Sequence, residues 1–292
     1  MKIFKKSGRK FFYIKIIKFI IFLFLLLFFL LEFFIIYKNK IINKWPQKLT
    51  MDKITLVTAF YKIKSKHSYK DYLEWMNNIL KINRSIVFYF ENSLPKKIKN
   101  MRPREFENKT IWIEYNMKDF YSFNHYLKDF KETYTIDIEK SHHSVPLYLI
   151  WAEKCKFLEN AVNKNYFNST CFYWVDAGFF RNSTKIKSYI NDWPSPQNCF
   201  EDPRVIFNVL RASSKNEIEE LRYFNINTHL EFQKQLNVGG NMFGGQSEYI
   251  KKFKNLYYST LELFIKRKIF IGKDQNIFAY ISYLHPETIK LP

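Results

Sequence analysis

Cys171–Phe172–Tyr173–Trp174–Val175–Asp176–Ala177–Gly178 is the stretch from which the rest of this chain can be read. Its apolar and aromatic run shows no polar alternation, which is the pattern of a strand covered on both faces, here over 170–175. The run stops at a carboxylate followed by Ala-Gly, a turn signal. A strand buried on both faces belongs inside a parallel sheet, and parallel neighbours require crossover segments, usually helices.

Such strands and crossovers recur on either side of it. Ile54–Thr55–Leu56–Val57–Thr58–Ala59–Phe60 reads as a first buried strand, 85–90 as a second and 110–114 as a third. Tyr72, Trp75, Met76 and Ile79 give 69–80 helical spacing, and 118–132 alternates aromatic and charged positions as another helix. The clearest helix is 147–162, with Pro146 at its start, and 247–266 and 275–283 follow the same period. Strands alternating with helices predict an α/β domain with a mostly parallel sheet covered on both faces. Ligands of such sheets sit beyond the carboxyl ends of the strands, so Asp176 stands where chemistry is expected.

The chain has 292 residues, 47% of them hydrophobic and 20% aromatic, enough apolar surface to build a core. That composition excludes the disordered and collagen-like classes. Three cysteines make neither a disulfide scaffold nor a zinc cluster, and Cys155 and Cys171 read as buried small hydrophobes. The net charge of +20 suggests nucleic acid until its distribution is considered. Residues 1–50 carry 11 of the 47 Lys and Arg against the single acid Glu32, which is half of the excess, and the remainder is diluted over 51–292. No nucleic-acid partner is expected.

The basic N-terminal segment has a different reading. Residues 19–37 form an apolar run broken only by Glu32, long enough to cross a bilayer as a helix. Residues 32–37 contain no small-residue cleavage site, which favours an uncleaved anchor over a signal peptide. Seven basic residues precede the run and Lys38, Lys40, Lys44 and Lys48 follow it, placing the N-terminus in the cytosol and the large domain across the membrane. The expected organisation is a tail at 1–18, a transmembrane signal-anchor at 19–37, a stem at 38–52 and a catalytic domain at 53–292.

Glycine is scarce, at seven residues, and its placement is informative. Gly239, Gly240, Gly244 and Gly245 crowd one segment, Gly178 follows Asp176, and Gly272 precedes Lys273–Asp274–Gln275. Glycine supplies positive φ or lets backbone approach a ligand, so 239–245 is expected to be a ligand-facing loop. Asp176 could hold a divalent cation against phosphate oxygens, and Arg181 just beyond it could meet a diphosphate. Asp274–Gln275 stands either as a helix N-cap or as a base or sugar-hydroxyl acceptor. His285 is a candidate late metal ligand. Asn83, Asn108, Asn168 and Asn182 head N-x-S/T sequons.

Taken in order, Thr55–Tyr61, Tyr173–Gly178 with Arg181, Val238–Gly240 with Phe243–Gly245, and Lys273–Gln275 make the chain resemble the HtrL/YibB (WlaTC-type) family of glycosyltransferase-like proteins. The resemblance covers most of 53–284. It implies a GT-A fold with a Rossmann-type nucleotide-sugar domain, and transfer of a sugar from a nucleotide-sugar donor to a glycan, glycolipid or glycoprotein acceptor. It places Thr58, Ala59 and Tyr61 against the nucleotide, with Arg181, Gly239, Gly240, Lys273 and Gln275 also on the donor. An inverting reaction needs a carboxylate to take the acceptor proton, for which Asp274 is the candidate. GT-A enzymes often carry Asp-x-Asp on a divalent cation, commonly Mn²⁺. Here the second acidic position is Gly178, so the expected metal set is Asp176 with His285, one carboxylate short. The expected setting is a single-pass protein of a Golgi or ER lumen, or a domain on the cytosolic face of a bacterial membrane. The rival readings are a degenerate, membrane-tethered glycan-binding domain and a nucleotidyl or phosphoryl transferase on a similar sheet.

Overall fold

In a computed structural model of the protein, residues 19, 22–24, 26–33, 53–91, 96–211 and 238–291 are described. The chain divides into two compact units, Met1–Leu49 and Thr50–Pro292. In the first, 22–24 and 26–33 are helical, with Phe22, Phe24, Phe28 and Phe29 exposed. Among the described residues no helix is long and apolar enough to cross a membrane. The expected span at 19–37 falls partly outside them, at 20, 21, 25 and 34–37, as do the tail at 1–18 and the stem at 38–52.

The second unit is a mixed α/β domain on a seven-stranded sheet. Its strands are β1 (Ile54–Phe60), β2 (Ser85–Phe90), β3 (Thr110–Glu114), β4 (Cys171–Val175), β5 (Val205–Val209), β6 (Val238–Gln246) and β7 (Ile289–Lys290), in the order β3-β2-β1-β4-β6-β5-β7. β6 is antiparallel to both its neighbours, β4 and β5, and every other pairing is parallel. The expectation of a mostly parallel sheet therefore holds. The order reverses at β1: the chain steps outward through β2 and β3, then returns to lay β4 on the other side of β1.

Alternation across the pleat explains why the strands read as unbroken apolar runs. Val57 and Ala59 of β1, with Phe172 and Trp174 of β4, enter one core. Ile54 and Leu56, with Cys171, Tyr173 and Val175, enter the other. Among the described residues five long helices cover the sheet: α1 (Tyr69–Ile79), α2 (Tyr121–Thr135), α3 (Val145–Lys164), α4 (Ser247–Lys266) and α5 (Asp274–Leu284). α1 opens on a capping box, in which Asp71 N donates to Ser68 Oγ and Ser68 N donates to Asp71 Oδ2. α3 carries Pro146 in its first turn, where a missing N–H costs nothing, and ends at Asn165 with φ of 40°.

The expected helix at 118–132 begins at Tyr121, after a 3₁₀ turn at Met117–Asp119 and an extended Phe120. Its cap comes from another helix. The buried Glu153 of α3 accepts Tyr121 N at 3.0 Å and Ser122 N at 2.9 Å, filling two of the orphan donors of the first turn. Burial pushes the Glu153 carboxyl up, opposed by those two N–H donors.

Two sequence expectations are overturned here. Cys171 is not an isolated thiol: it is bonded to Cys199 across 28 positions, pinning the start of β4 to the short helix Pro196–Glu201, and Cys155 alone is free and buried. The glycines of 239–245 do not form a loop but sit inside β6, and among the described residues none has positive φ. They are small because neighbours press on them. A Cβ on Gly244 would lie 2.3 Å from the Phe172 carbonyl oxygen, and one on Gly245 would lie 2.6 Å from that of Arg204.

Candidate active site

A cleft of about 300 Å³ opens beyond the carboxyl ends of β1 and β4, where the strand order reverses. Such a switch point is where the two connecting loops diverge and leave a crevice. One wall is the segment leaving β1, including Ala59, Tyr61 and Lys62. The opposite wall is the segment leaving β4, from Asp176 to Arg181. α1 contributes Tyr72 and Trp75, and α3 contributes Leu147, Ile150, Trp151 and Lys154, spaced so that one helical face lines the cavity.

Asp176 is placed by both backbone and side chain. Its N–H donates to the Asn241 carbonyl at 2.8 Å, continuing the β4–β6 pairing past the end of the strand. Its Oδ1 accepts Trp174 Nε1 at 2.7 Å and lies 3.2 Å from Lys154 Nζ. Both of these contacts fall on Oδ1. The side chain is 34% exposed, and among the described residues Asp176 is the only carboxylate in the cleft lining.

Lys154 is the residue that the sequence reading missed. Its side chain is 3% exposed, and its Nζ lies 2.8 Å from Asp274 Oδ2 and donates to the Gly240 carbonyl at 2.8 Å. It also stands 5.7 Å from the centre of the Trp174 ring. Burial pulls the Lys154 pKa down, but Asp176 and Asp274 outweigh it and hold the ammonium above its usual range. Asp274 is 4% exposed at the start of α5, and its Oδ1 accepts Gln275 N at 2.8 Å. Burial pushes the Asp274 carboxyl up, against the pull of Lys154. Gly240 makes room for this pair, because a Cβ there would lie 2.7 Å from Asp274 Oδ2. A signal for Lys154 was present: it falls i+3 from Trp151 and i+7 from Leu147 on an otherwise apolar face of α3.

The structure thus joins Asp176 and Asp274, far apart in sequence, through one buried lysine. The other expected residues scatter. Ala59, Tyr61 and Arg181 line the cleft, although the Tyr61 hydroxyl donates to the Tyr115 carbonyl. Thr58 lies fully buried within β1 and outside the lining. Gly239 and Gly240 are strand residues, and Gly240 meets Lys154 rather than the cavity. Lys273 is buried in an ion pair with Glu139, and Gln275 Nε2 donates to the Val238 carbonyl, so neither lines the cleft. Asp274 stands behind Lys154 and Gly240, which does not suit it to receive a proton from an acceptor in the cleft. His285 is paired with Glu287 at 3.0 Å and is not part of the lining.

The chemistry of the cleft is cationic and aromatic. Among the described residues its charged lining is Lys62, Lys154 and Arg181 against Asp176. The Arg181 guanidinium lies over the Trp75 ring at 4.7 Å from its centre, a cation–π contact. His67 packs edge-on to the same indole, and burial followed by the Arg181 charge pushes its pKa below the usual range. The divalent cation implied at Asp176 does not fit these residues as folded. Lys154 Nζ already occupies the position between the two carboxylates, and among the described residues no three His, Cys, Asp or Glu side chains converge.

No curated protein matches the chain. Among solved structures it is similar to an active-site mutant of LgtC, at 10% identity and a TM-score of 0.41, over 81% of this chain and 72% of that one. It is similar also to the galactosyltransferase LgtC in complex with donor and acceptor sugar analogs, at 10% identity and a TM-score of 0.40, over the same shares of the two chains. Residues 52–291 match the family model described as a bacterial protein of unknown function (HtrL_YibB). That match runs through all seven strands and every member of the Lys154 cluster, and the chain belongs to the HtrL_YibB family.

Proposed function

We propose that this protein is a GT-A-type glycosyltransferase, moving a sugar from a nucleotide-sugar donor to a hydroxyl of a glycan, glycolipid or glycoprotein. The observation that carries the reading is the switch-point cleft, with aromatic walls for a base and sugar and with three cations against one carboxylate. The leaving nucleoside diphosphate gathers negative charge as its bond to the anomeric carbon breaks, and Arg181 and Lys62 are the exposed cations placed to meet it. Asp176 is the cleft carboxylate available to take the proton from the attacking acceptor hydroxyl as the new C–O bond forms.

A panel of nucleotide sugars offered to the purified full chain tests this reading. The expected result is release of nucleoside diphosphate from one donor class, with Arg181→Ala raising the donor KM at least ~10-fold, the loss of one charge-assisted contact. Release of nucleoside monophosphate with pyrophosphate would instead make it a nucleotidyl transferase. Glycan binding without turnover would make it a lectin-like domain.

We further read 19–37 as an uncleaved membrane anchor with the N-terminus in the cytosol, supported by the run of apolar residues and the excess of preceding Lys and Arg. The Cys171–Cys199 bridge suits an oxidising lumen supplied with nucleotide sugars. In a bacterial cell the donor is cytosolic, and the domain belongs on that face. A fusion of residues 1–44 to a reporter is expected to partition with membranes and to be protected from external protease in microsomes. A soluble reporter would remove the anchor, and a protease-sensitive one would reverse the topology.

A further inference from the structure

We propose that Lys154 is a built-in substitute for a divalent cation, so that phosphate binding in the cleft is independent of metal. The inference rests on reading the cleft as the site of a phosphate-bearing donor. Three oxygens from three elements converge on Lys154 Nζ: Asp176 Oδ1 at 3.2 Å beyond β4, Asp274 Oδ2 at 2.8 Å on α5 and the Gly240 carbonyl at 2.8 Å on β6. Two carboxylates and a carbonyl are the donor set of a hard divalent ion. The Gly240 carbonyl accepts one ammonium proton, and the two carboxylates pair with its charge at 3.2 and 2.8 Å.

Two consequences follow from that arrangement. The ammonium leaves no vacancy for a metal between the carboxylates, and it cancels much of the negative charge that would repel a phosphate from Asp176. At 3% exposure and held between two carboxylates, Lys154 has little surface with which to grip the ligand itself. That falls to Arg181 and Lys62, the other two cations of the lining. The fold has spent effort on the cluster: Gly240 has no side chain where a Cβ would strike the Asp274 carboxylate, and Trp174 Nε1 holds Asp176 Oδ1 toward the lysine.

The test uses two probes on the full chain, inorganic pyrophosphate and Mn²⁺ alone. Calorimetric titration with pyrophosphate is expected to give the same affinity within ~2-fold in EDTA and in excess Mg²⁺, with Arg181→Ala weakening it at least ~10-fold in both. Mn²⁺ alone is expected to leave the wild-type melting temperature unchanged. It is expected to raise that of Lys154→Met, in which the three oxygens are released, and Asp176→Asn added to Lys154→Met should abolish the rise. If Lys154→Met does not fold alone, it is refolded with and without Mn²⁺, and recovery only with the metal is the same result.

Pyrophosphate binding that appears only with a divalent ion would overturn the proposal. So would a stoichiometric Mn²⁺ site in the wild type, or a Lys154→Met protein indifferent to Mn²⁺. Metal-free pyrophosphate binding together with a donor panel that gives no turnover would uphold this inference while removing glycosyl transfer.

Discussion

Lys154→Met is expected to lower the stability of the folded domain by about 3–5 kcal/mol, the range for removing one partner of a buried ion pair. Met keeps most of the side-chain volume, so the loss is electrostatic rather than a cavity. Without the ammonium, Asp274 is left at 4% exposure with a neighbouring carboxylate and no cation. Adding Asp274→Asn should restore more than half of the loss, because the uncompensated buried charge then disappears. Urea unfolding followed by tryptophan fluorescence measures both variants. A loss under ~1 kcal/mol would mean that the cluster behaves like a solvated surface pair. The pH dependence has a definite sign. The folded pKa of Lys154 is raised above the ordinary 10.5, so its contribution is fully present below that value and is lost as pH rises through the folded pKa. Lys154→Met should therefore lack that part of the alkaline loss of stability.

Asp176→Asn is expected to cut glycosyl transfer at least ~100-fold, about 2.7 kcal/mol of transition-state stabilisation, while leaving the domain folded. The amide is nearly isosteric and its oxygen can still accept Trp174 Nε1. Asp274 continues to hold Lys154, so the cluster keeps its charge balance better than when the lysine is removed. What the variant loses is the only carboxylate among the described lining residues that could take a proton from an acceptor. The loss should fall on kcat, with the donor KM changed less than ~3-fold, because the proposed function assigns the donor's phosphates to Arg181 and Lys62. Steady-state kinetics with the identified donor checks this, and unchanged turnover would remove Asp176 from the chemistry.

Much of the domain was legible because burial on two faces leaves a local mark. β1, β2, β3 and β4 read as apolar runs at the positions where they form, and α1, α3 and α4 showed their period. The start of α2 was misplaced by three residues because its cap is Glu153, a side chain brought from another helix. The glycine cluster is conspicuous in the sequence, but its cause is not. Sequence suggests positive φ or ligand approach, whereas the cause is steric pressure from β4, from the Arg204 backbone and from Asp274.

The site divides along the same line. Asp176 and Arg181 were found because they leave an apolar strand directly, and in such a sheet the strand end is where ligands meet protein. Asp274 reads from sequence as an N-cap or a base, since nothing local reveals that it is buried against Lys154. Lys154 is a single charge on an otherwise apolar face of α3, and nothing near it in sequence says what it pairs with. Its partners sit on β4, β6 and α5, and only the folding of those elements against α3 makes it a buried cation.

The sequence by itself determined the α/β domain, the acidic strand end, the family resemblance and the basic apolar N-terminal segment, each written in residues close along the chain. Tertiary structure alone decided that β6 runs through the glycines, that Cys171 meets Cys199, and that Asp176 and Asp274 share one ammonium. The physical reason is range. Backbone period and burial act between near neighbours, whereas charge pairing and close packing depend on which distant segments the fold brings within a few ångströms.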